Sequence, residues 1–361
     1  MNIKLQVIYP CKGIEFLFLT NIIPQKESYS SRAYSANNGL IVEIKNICGI
    51  IRIGKSIKPS SIYHGKESSI MNEKIAQLAD SAGNLPREML EKYAIKEVPL
   101  YFSFDQQHYY RENIDYSNTD FYLHMKNEPQ QIPKTSAPSI YDWLKGYREM
   151  YERGYNKFIV TTIASKLSAS YQNALLARDM FRESIKDAKV EIFESGTCAC
   201  GQAALEIKIA HMINCQKLGW EDITKRIGQV IPNAVSLFTV QELTYMLAGG
   251  RIGGAAAMLG NLVKIRPVCE FVNGVVHPIK AVRGRKKSLE YLINTCVNRM
   301  KNVRNSVIIT QQALCEEDEL FIIKGLKQKL GQDIHIFRSS VGTSVGSHSG
   351  PGAIGVGFIG D

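Results

Sequence analysis

Residues 157–183 read KFIVTTIASKLSASYQNALLARDMFRE. Lys157 to Ile163 is an apolar, β-branched run of the length of a buried strand, and from Ser170 to Glu183 the pattern is helical. Between the two lie Ser165, Ser168 and Ser170. They set hydroxyls at the carboxyl end of a strand and the start of a helix. Open α/β sheets bind ligands at that place, and the free N–H groups of a helix N-terminus favour an anion there. A single serine at such a junction reads best as an N-cap. Three in six residues give a binding loop equal standing.

Outward from this unit the same alternation continues. Met71 to Ser81 reads as a short strand running into a turn, and Val98 to Phe104 as a strand. Ser139 to Arg153 is an amphipathic helix with Ser139 placed to cap it. Lys189 to Phe193 is a strand, and Gln202 to Leu218 and Trp220 to Ile231 are helices, the second ending before Pro232. Strand and helix in turn predict a parallel sheet covered by helices. The texture changes near Ala234. Val235 to Val240 is a strand, with a helix through Leu247 and a glycine-rich turn at 249–254. Val263 to Val272 and Val275 to Val282 flank Asn273-Gly274, a strong hairpin signal. Helices over Lys286 to Arg299 and Glu316 to Leu330 alternate with strands at Ser306 to Thr310 and Ile334 to Arg338. Gly346 to Gly352 reads as a loop before a last strand, Ala353 to Ile359. The fold class is therefore α/β, with a parallel-sheet domain over 71–232 and a mixed-sheet domain over 233–361.

Length and composition agree. A chain of 361 residues, 45% hydrophobic and 22% charged, excludes a mainly disordered, collagenous or disulfide-scaffold protein, and it is long for one core. The net charge of +10 raises nucleic acid, a membrane surface or an acidic partner. It divides unevenly: +5 falls in residues 1–70 and +5 in the other 291. Residues 1–70 hold no sustained period. Ser28 to Asn38 reads as loop or disorder, and Leu40 to Ile53 as two short strands. Gly65-Lys66-Glu67 can be encoded by a purine run like a bacterial ribosome-binding site, a short spacer ahead of Met71. The expectation is that Met71 is the start and that 1–70 is an upstream translation; the other reading is a small N-terminal extension. No apolar run reaches the roughly 18 residues that span a bilayer. The eight cysteines show no second pair beside Cys198 and Cys200 at metal-ligand spacing, which predicts reduced thiols in a cytoplasmic protein and no metal.

Further candidates lie elsewhere. Thr135 and Ser136 stand in KTSAPS ahead of a helix, where capping is the simpler reading. His348 sits among serines, Gly350, Pro351 and Gly352, where backbone can approach a ligand closely. Arg251 follows the glycine turn, and Arg283 opens a basic cluster ending at Lys287. The bland reading of both is a solvated cation. The cluster has neither the interleaved aromatics nor the module of a nucleic-acid binder. Gly342-Thr-Ser344-Val-Gly346 has the letters of a hydrolase nucleophile elbow but not its context, since a Gly/Ser loop is expected to follow and no acid-then-histidine order remains downstream.

Seven stretches in order resemble the DegV family, which includes the fatty-acid-binding subunits of bacterial fatty acid kinase. They are Asp80-Ser81 with Leu85-Pro86, Val98-Pro99-Leu100, Lys134 to Ser139, Ser165 to Ala174, Leu247 to Ile252, Val282-Arg283-Gly284, and His348 to Gly352. The resemblance covers the chain from about Met71 onward. Departures are mild: Ala169 and Ser170 stand where the family usually has Gly and Thr, Ala79 where it has Thr, and Ser349 where Thr is common.

The resemblance implies a long-chain fatty acid buried between two α/β domains. Thr135 and Ser168 would hold its carboxylate, with Ser136, Ser165 and His348 nearby. It further implies a separate ATP-dependent fatty acid kinase subunit that phosphorylates the carboxylate, with Arg251 and Arg283 meeting that partner or the new phosphate. No cofactor, no nucleic acid and no catalytic group in this chain follow from it, and transient contact with a membrane surface is compatible with loading. The alternative is a small-molecule enzyme of kinase-like type acting through His348.

Overall fold

The structure, a computed structural model, describes residues 73–258 and 265–360, together with the backbone of four short strands ahead of residue 45. The chain divides into two compact units, Met1–Met71 and Asn72–Asp361. In the first, Arg32–Ala36 pairs antiparallel with Leu40–Ile44, so a strand falls within the segment expected to be loop. Residues 65–67 and Met71 lie outside the described residues.

In the second unit, the parallel sheet has the order Lys189–Glu194, Lys157–Thr162, Ile75–Asp80, Ile95–Val98. Its two central strands are buried on both faces, as the apolar run Phe158 to Val160 leads one to expect, and the polar Gln77 within Ile75–Asp80 is buried as well. Phe158 and Val160 face Trp143 and Tyr147 of helix Ile140–Glu152 and Phe181 of helix Ser170–Ser184. Ile159 faces Leu205 and Ile207 of helix Cys200–Asn214, with helix Trp220–Val230 beside it.

The mixed sheet has the order Val275–Arg283, Ile265–Val272, Val235–Thr239, Ile354–Ile359, Val307–Gln312, Phe337–Ser340, with only the last pair parallel. Helices Arg285–Arg299 and Glu316–Leu330 cover one face through Leu292, Ile293 and Ile322. The hairpin turns at Asn273 and Gly274, with φ of 50° and 74°, the positive angles a two-residue turn of this kind requires. Helix Cys200–Asn214 joins the two sheets. Twelve of its fifteen residues are buried, and it packs on strand Ile354–Ile359 as well as on the parallel sheet.

Four expectations are corrected. The strand expected over Val98 to Phe104 is two, because Pro99 lacks the N–H a continuous ladder needs. Ile95–Val98 stays in the parallel sheet, and Tyr101–Ser103 enters a small antiparallel sheet with Tyr110–Arg111 and Lys134–Ser136. Thr135 and Ser136 thus lie in a strand, not at the helix start itself. Helices Arg87–Tyr93 and Asn118–Asn127 were not expected. Finally, the segment read as a loop opens as a helix, Thr343–Ser349. Tertiary contacts override its poor propensity: the Glu112 carboxylate accepts from the Ser344 N–H (2.7 Å), and Gly346 lies against the Tyr122 ring, leaving no room for a side chain.

Candidate functional site

A cavity of about 470 Å³ lies between the two sheets, within the range of roughly 300–1,000 Å³ usual for small-molecule sites. The segments after the parallel strands supply Ile163, Leu167 and Cys198. The mixed sheet and its neighbours supply Phe238, Phe271, Val276 and Ile354. Thr135, Ser136, Ser168 and His348 line the same cavity, and Arg251 is the one cationic or acidic side chain in its wall among the described residues. Such a wall suits a long uncharged body with a polar, anionic end.

Asp80 builds the Ser168 loop. Its buried carboxylate accepts from Ile163 N (2.9 Å) and the Ser170 hydroxyl (2.6 Å) on one oxygen, and from Gln202 Nε2 (2.8 Å) and Ala82 N (3.3 Å) on the other. Burial pushes the Asp80 pKa up, and the bonds from Ser170 and Gln202 pull it back. Ser168 Oγ accepts from the Ser170 N–H at 3.3 Å. Its proton remains free to be donated, so capping and ligand binding use different halves of one hydroxyl.

In the wall of the same cavity Thr135 Oγ1 and His348 Nε2 are 2.9 Å apart. Burial, then the nearby Arg251 and Lys134 cations, push the His348 pKa down to about 4, so the ring is neutral at pH 7. A neutral ring with its proton on Nε2 donates to Thr135 and frees the threonine O–H to point at an anion. His348 Nδ1 is buried without a protein partner and lies against Gly249, where a Cβ would stand 1.9 Å away. Gly249→Ala is therefore expected to displace the ring, break its bond to Thr135 and weaken ligand binding about tenfold or more. Affinity for a long-chain fatty acid, measured beside the unaltered chain, checks this.

Ser165 does not line the cavity: its hydroxyl and its N–H both donate to Glu194 Oε1, at 2.9 and 2.8 Å. Arg283 is exposed at the end of its strand, opposite Ile265, and lines nothing here. Arg251 reaches the Leu167 carbonyl through Nε (3.3 Å) and the Gly249 carbonyl through its terminal nitrogen (2.5 Å). Of the seven residues singled out, five meet in one place.

Sequence reasoning missed Asn173, Ser236, Gln311 and Ser349, and it set Ser344 aside, yet all five line the cavity. A helix does follow Ser344, so that ground for discounting an elbow fails. The Ser344 hydroxyl, however, is buried, and no His, Asp or Glu side chain is hydrogen-bonded to it, unlike the nucleophile of an elbow. Cys198 and Cys200 are free thiols, and burial pushes the Cys200 pKa up to about 11, which makes it inert as a nucleophile. Among the described residues no group of three or more His, Cys, Asp or Glu could hold a metal, and no helix is long and apolar enough to cross a membrane.

Known proteins share this architecture. A DegV domain-containing protein of Clostridium acetobutylicum is 30% identical over 281 residues, covering 78% of this chain and 96% of its own. The crystal structure of a stearic acid-binding protein from Eubacterium ventriosum matches with a TM-score of 0.74 and 26% identity, over 80% of this chain and 98% of its own. DegV of Bacillus subtilis, a fatty acid binding protein, matches with a TM-score of 0.71 and 27% identity, over 80% of this chain and all of its own (100%). The family described as "Uncharacterised protein, DegV family" matches residues 74–361, and to that family this chain belongs.

Proposed function

We propose that this chain binds a long-chain fatty acid in the inter-sheet cavity and presents its carboxylate to a separate ATP-dependent kinase subunit, which forms the acyl phosphate. One observation carries the reading: a single cavity is walled largely by apolar side chains and also takes in the hydroxyls of Thr135, Ser136 and Ser168 and the His348 ring. Its relatives from Eubacterium ventriosum and Bacillus subtilis are described as fatty acid binders. Each CH₂ taken from water contributes about 0.8 kcal/mol, so a long chain supplies most of the affinity and the hydroxyls fix its orientation. Ser168 and Thr135 would donate to the carboxylate, with Ser136 beside them, while Arg251 at the rim would meet the phosphate being added. Arg283, exposed and outside the cavity, would serve docking to the partner and not ligand binding. The chain itself then needs no catalytic group. An enzyme acting through His348 is less well supported, because the ring bonds a threonine hydroxyl and burial keeps it unprotonated, which suits a hydrogen-bond relay.

The test is lipid extraction of the purified protein, followed by titration with stearic acid. Ser168→Ala is expected to weaken binding by about ten- to a hundredfold, the usual effect of losing a hydrogen bond to a charged group, of about 1.5–3 kcal/mol. Ser165→Ala, whose hydroxyl is spent on Glu194, is expected to bind as the unaltered chain does. A chain that neither carries nor takes up a fatty acid, or equal losses from the two variants, would overturn the reading.

A further inference from the structure

Besides the Thr135–His348 pair, the cavity wall carries further polar side chains, Gln311 among them. Gln311, in strand Val307–Gln312, is fully buried and lines the cavity. Its amide nitrogen is turned to the backbone, donating to the Gly83 carbonyl at 2.7 Å and, more weakly, to the Asn84 carbonyl at 3.4 Å. That fixes the amide's orientation, since a flipped group would set its oxygen against two carbonyls. The oxygen, Oε1, is buried and has no protein partner.

Across the sheet Gln311 pairs with Gly355. A Cβ on Gly355 would stand 2.9 Å from Cys200 Sγ, so the thiol fills the space that a side chain beside Gln311 would take. Cys200 Sγ in turn lies 3.1 Å from Ser236 Oγ, and both residues are buried in the cavity wall. The thiol and hydroxyl carry two hydrogens and share one bond, so one hydrogen stays free. Gln311, Cys200 and Ser236 thus put an unpartnered acceptor and a spare donor into the wall of the same cavity, linked through Gly355. An acyl chain made only of methylenes satisfies neither, and an orphaned buried amide oxygen disfavours the complex.

We propose that the acyl chain this cavity is built for carries a hydroxyl group along its length, held between Gln311 Oε1, which accepts its proton, and the Cys200–Ser236 pair, which donates to its oxygen. The ligand class is a hydroxylated long-chain fatty acid. This rests on the fatty-acid reading above and adds to it a subsite remote from the carboxylate. A site with a fixed hydrogen-bond partner discriminates steeply for the group it matches, and it does so at one carbon position only, because the head group sets the register of the chain.

The experiment is a competition titration of the full chain with stearic acid and a positional series of hydroxystearic acids. One hydroxyl position is expected to bind at least as tightly as stearic acid, and tenfold or more tighter than hydroxyls placed several carbons to either side. Gln311→Leu is expected to lower the affinity ratio of that isomer to stearic acid by tenfold or more, and Ser236→Ala to lower it by less. If Gln311→Leu does not fold, the positional series on the unaltered chain decides alone. Stearic acid binding tenfold or more tighter than every hydroxylated isomer, with no dependence on position, would overturn the proposal and leave a buried water as the occupant of the patch. Failure of stearic acid and every isomer to bind would instead remove the fatty-acid reading itself, and this inference with it.

Discussion

Gly357→Ala is expected to destabilise the chain by about 3 kcal/mol, at the upper end of what an added methyl group costs in a packed core. Gly357 lies in strand Ile354–Ile359 under the first turn of helix Cys200–Asn214, and a Cβ there would stand 2.0 Å from the Cys200 carbonyl oxygen and 2.1 Å from its carbon. Those are backbone atoms, so no rotamer change relieves the contact and the helix must lift from the sheet. That helix is the element shared by both sheets, and its Cys200 is part of the cavity wall, so affinity should fall with stability. The melting temperature is expected to drop by on the order of 10 °C. Gly360→Ala serves as the comparison: the nearest atom to its Cβ, Ser306 Oγ, is 3.5 Å away, an ordinary contact. Equal melting temperatures for the two variants would refute the close-packing account.

How much of this was legible beforehand follows from the range of the interactions involved. Elements set by local pattern were readable: the buried strand at 157–162, the helix at 316–330 and the Asn273-Gly274 hairpin each declare themselves within a dozen residues. The helix Thr343–Ser349 did not, because serine and glycine give it no propensity. What holds it is Glu112, more than two hundred residues earlier in the chain, and Tyr122, whose hydroxyl donates to the Val341 carbonyl at 2.9 Å. The same holds for the site. Ser168 was visible through its place between strand and helix, whereas Ser165, three residues earlier, had equal claim until Glu194 was seen to occupy it. Gln311 gave no signal at all, since a glutamine at the end of a strand reads as an exposed polar residue until its partners Gly83 and Gly355 are known.

Asp80→Ala is expected to cost still more, about 3–5 kcal/mol, because several buried neutral donors lose their one shared acceptor together. The four donors now satisfied by one carboxylate come from four places: the turn after strand Ile75–Asp80, the end of strand Lys157–Thr162, the start of helix Ser170–Ser184 and the first turn of helix Cys200–Asn214. Removing the acceptor strands Ile163 N and Gln202 Nε2 in an interior that water does not reach, and each orphaned donor adds a penalty of about 1–3 kcal/mol. Asp80→Asn should fall between, because an amide presents one oxygen where the carboxylate presents two, and the Ser170 hydroxyl can turn to accept where Ile163 N cannot. Asp80 touches no ligand-facing atom; it acts as a positioning residue for Ser168, two residues before Ser170. A purely structural role would lower the melting temperature and leave the affinity of the folded fraction alone. Positioning predicts that Asp80→Asn, assayed well below its melting temperature, binds stearic acid about tenfold more weakly while the Ser165→Ala comparison does not. If Asp80→Ala melted within 2 °C of the unaltered chain and bound the acid equally well, the carboxylate would not be what joins the sheet to its ligand loop.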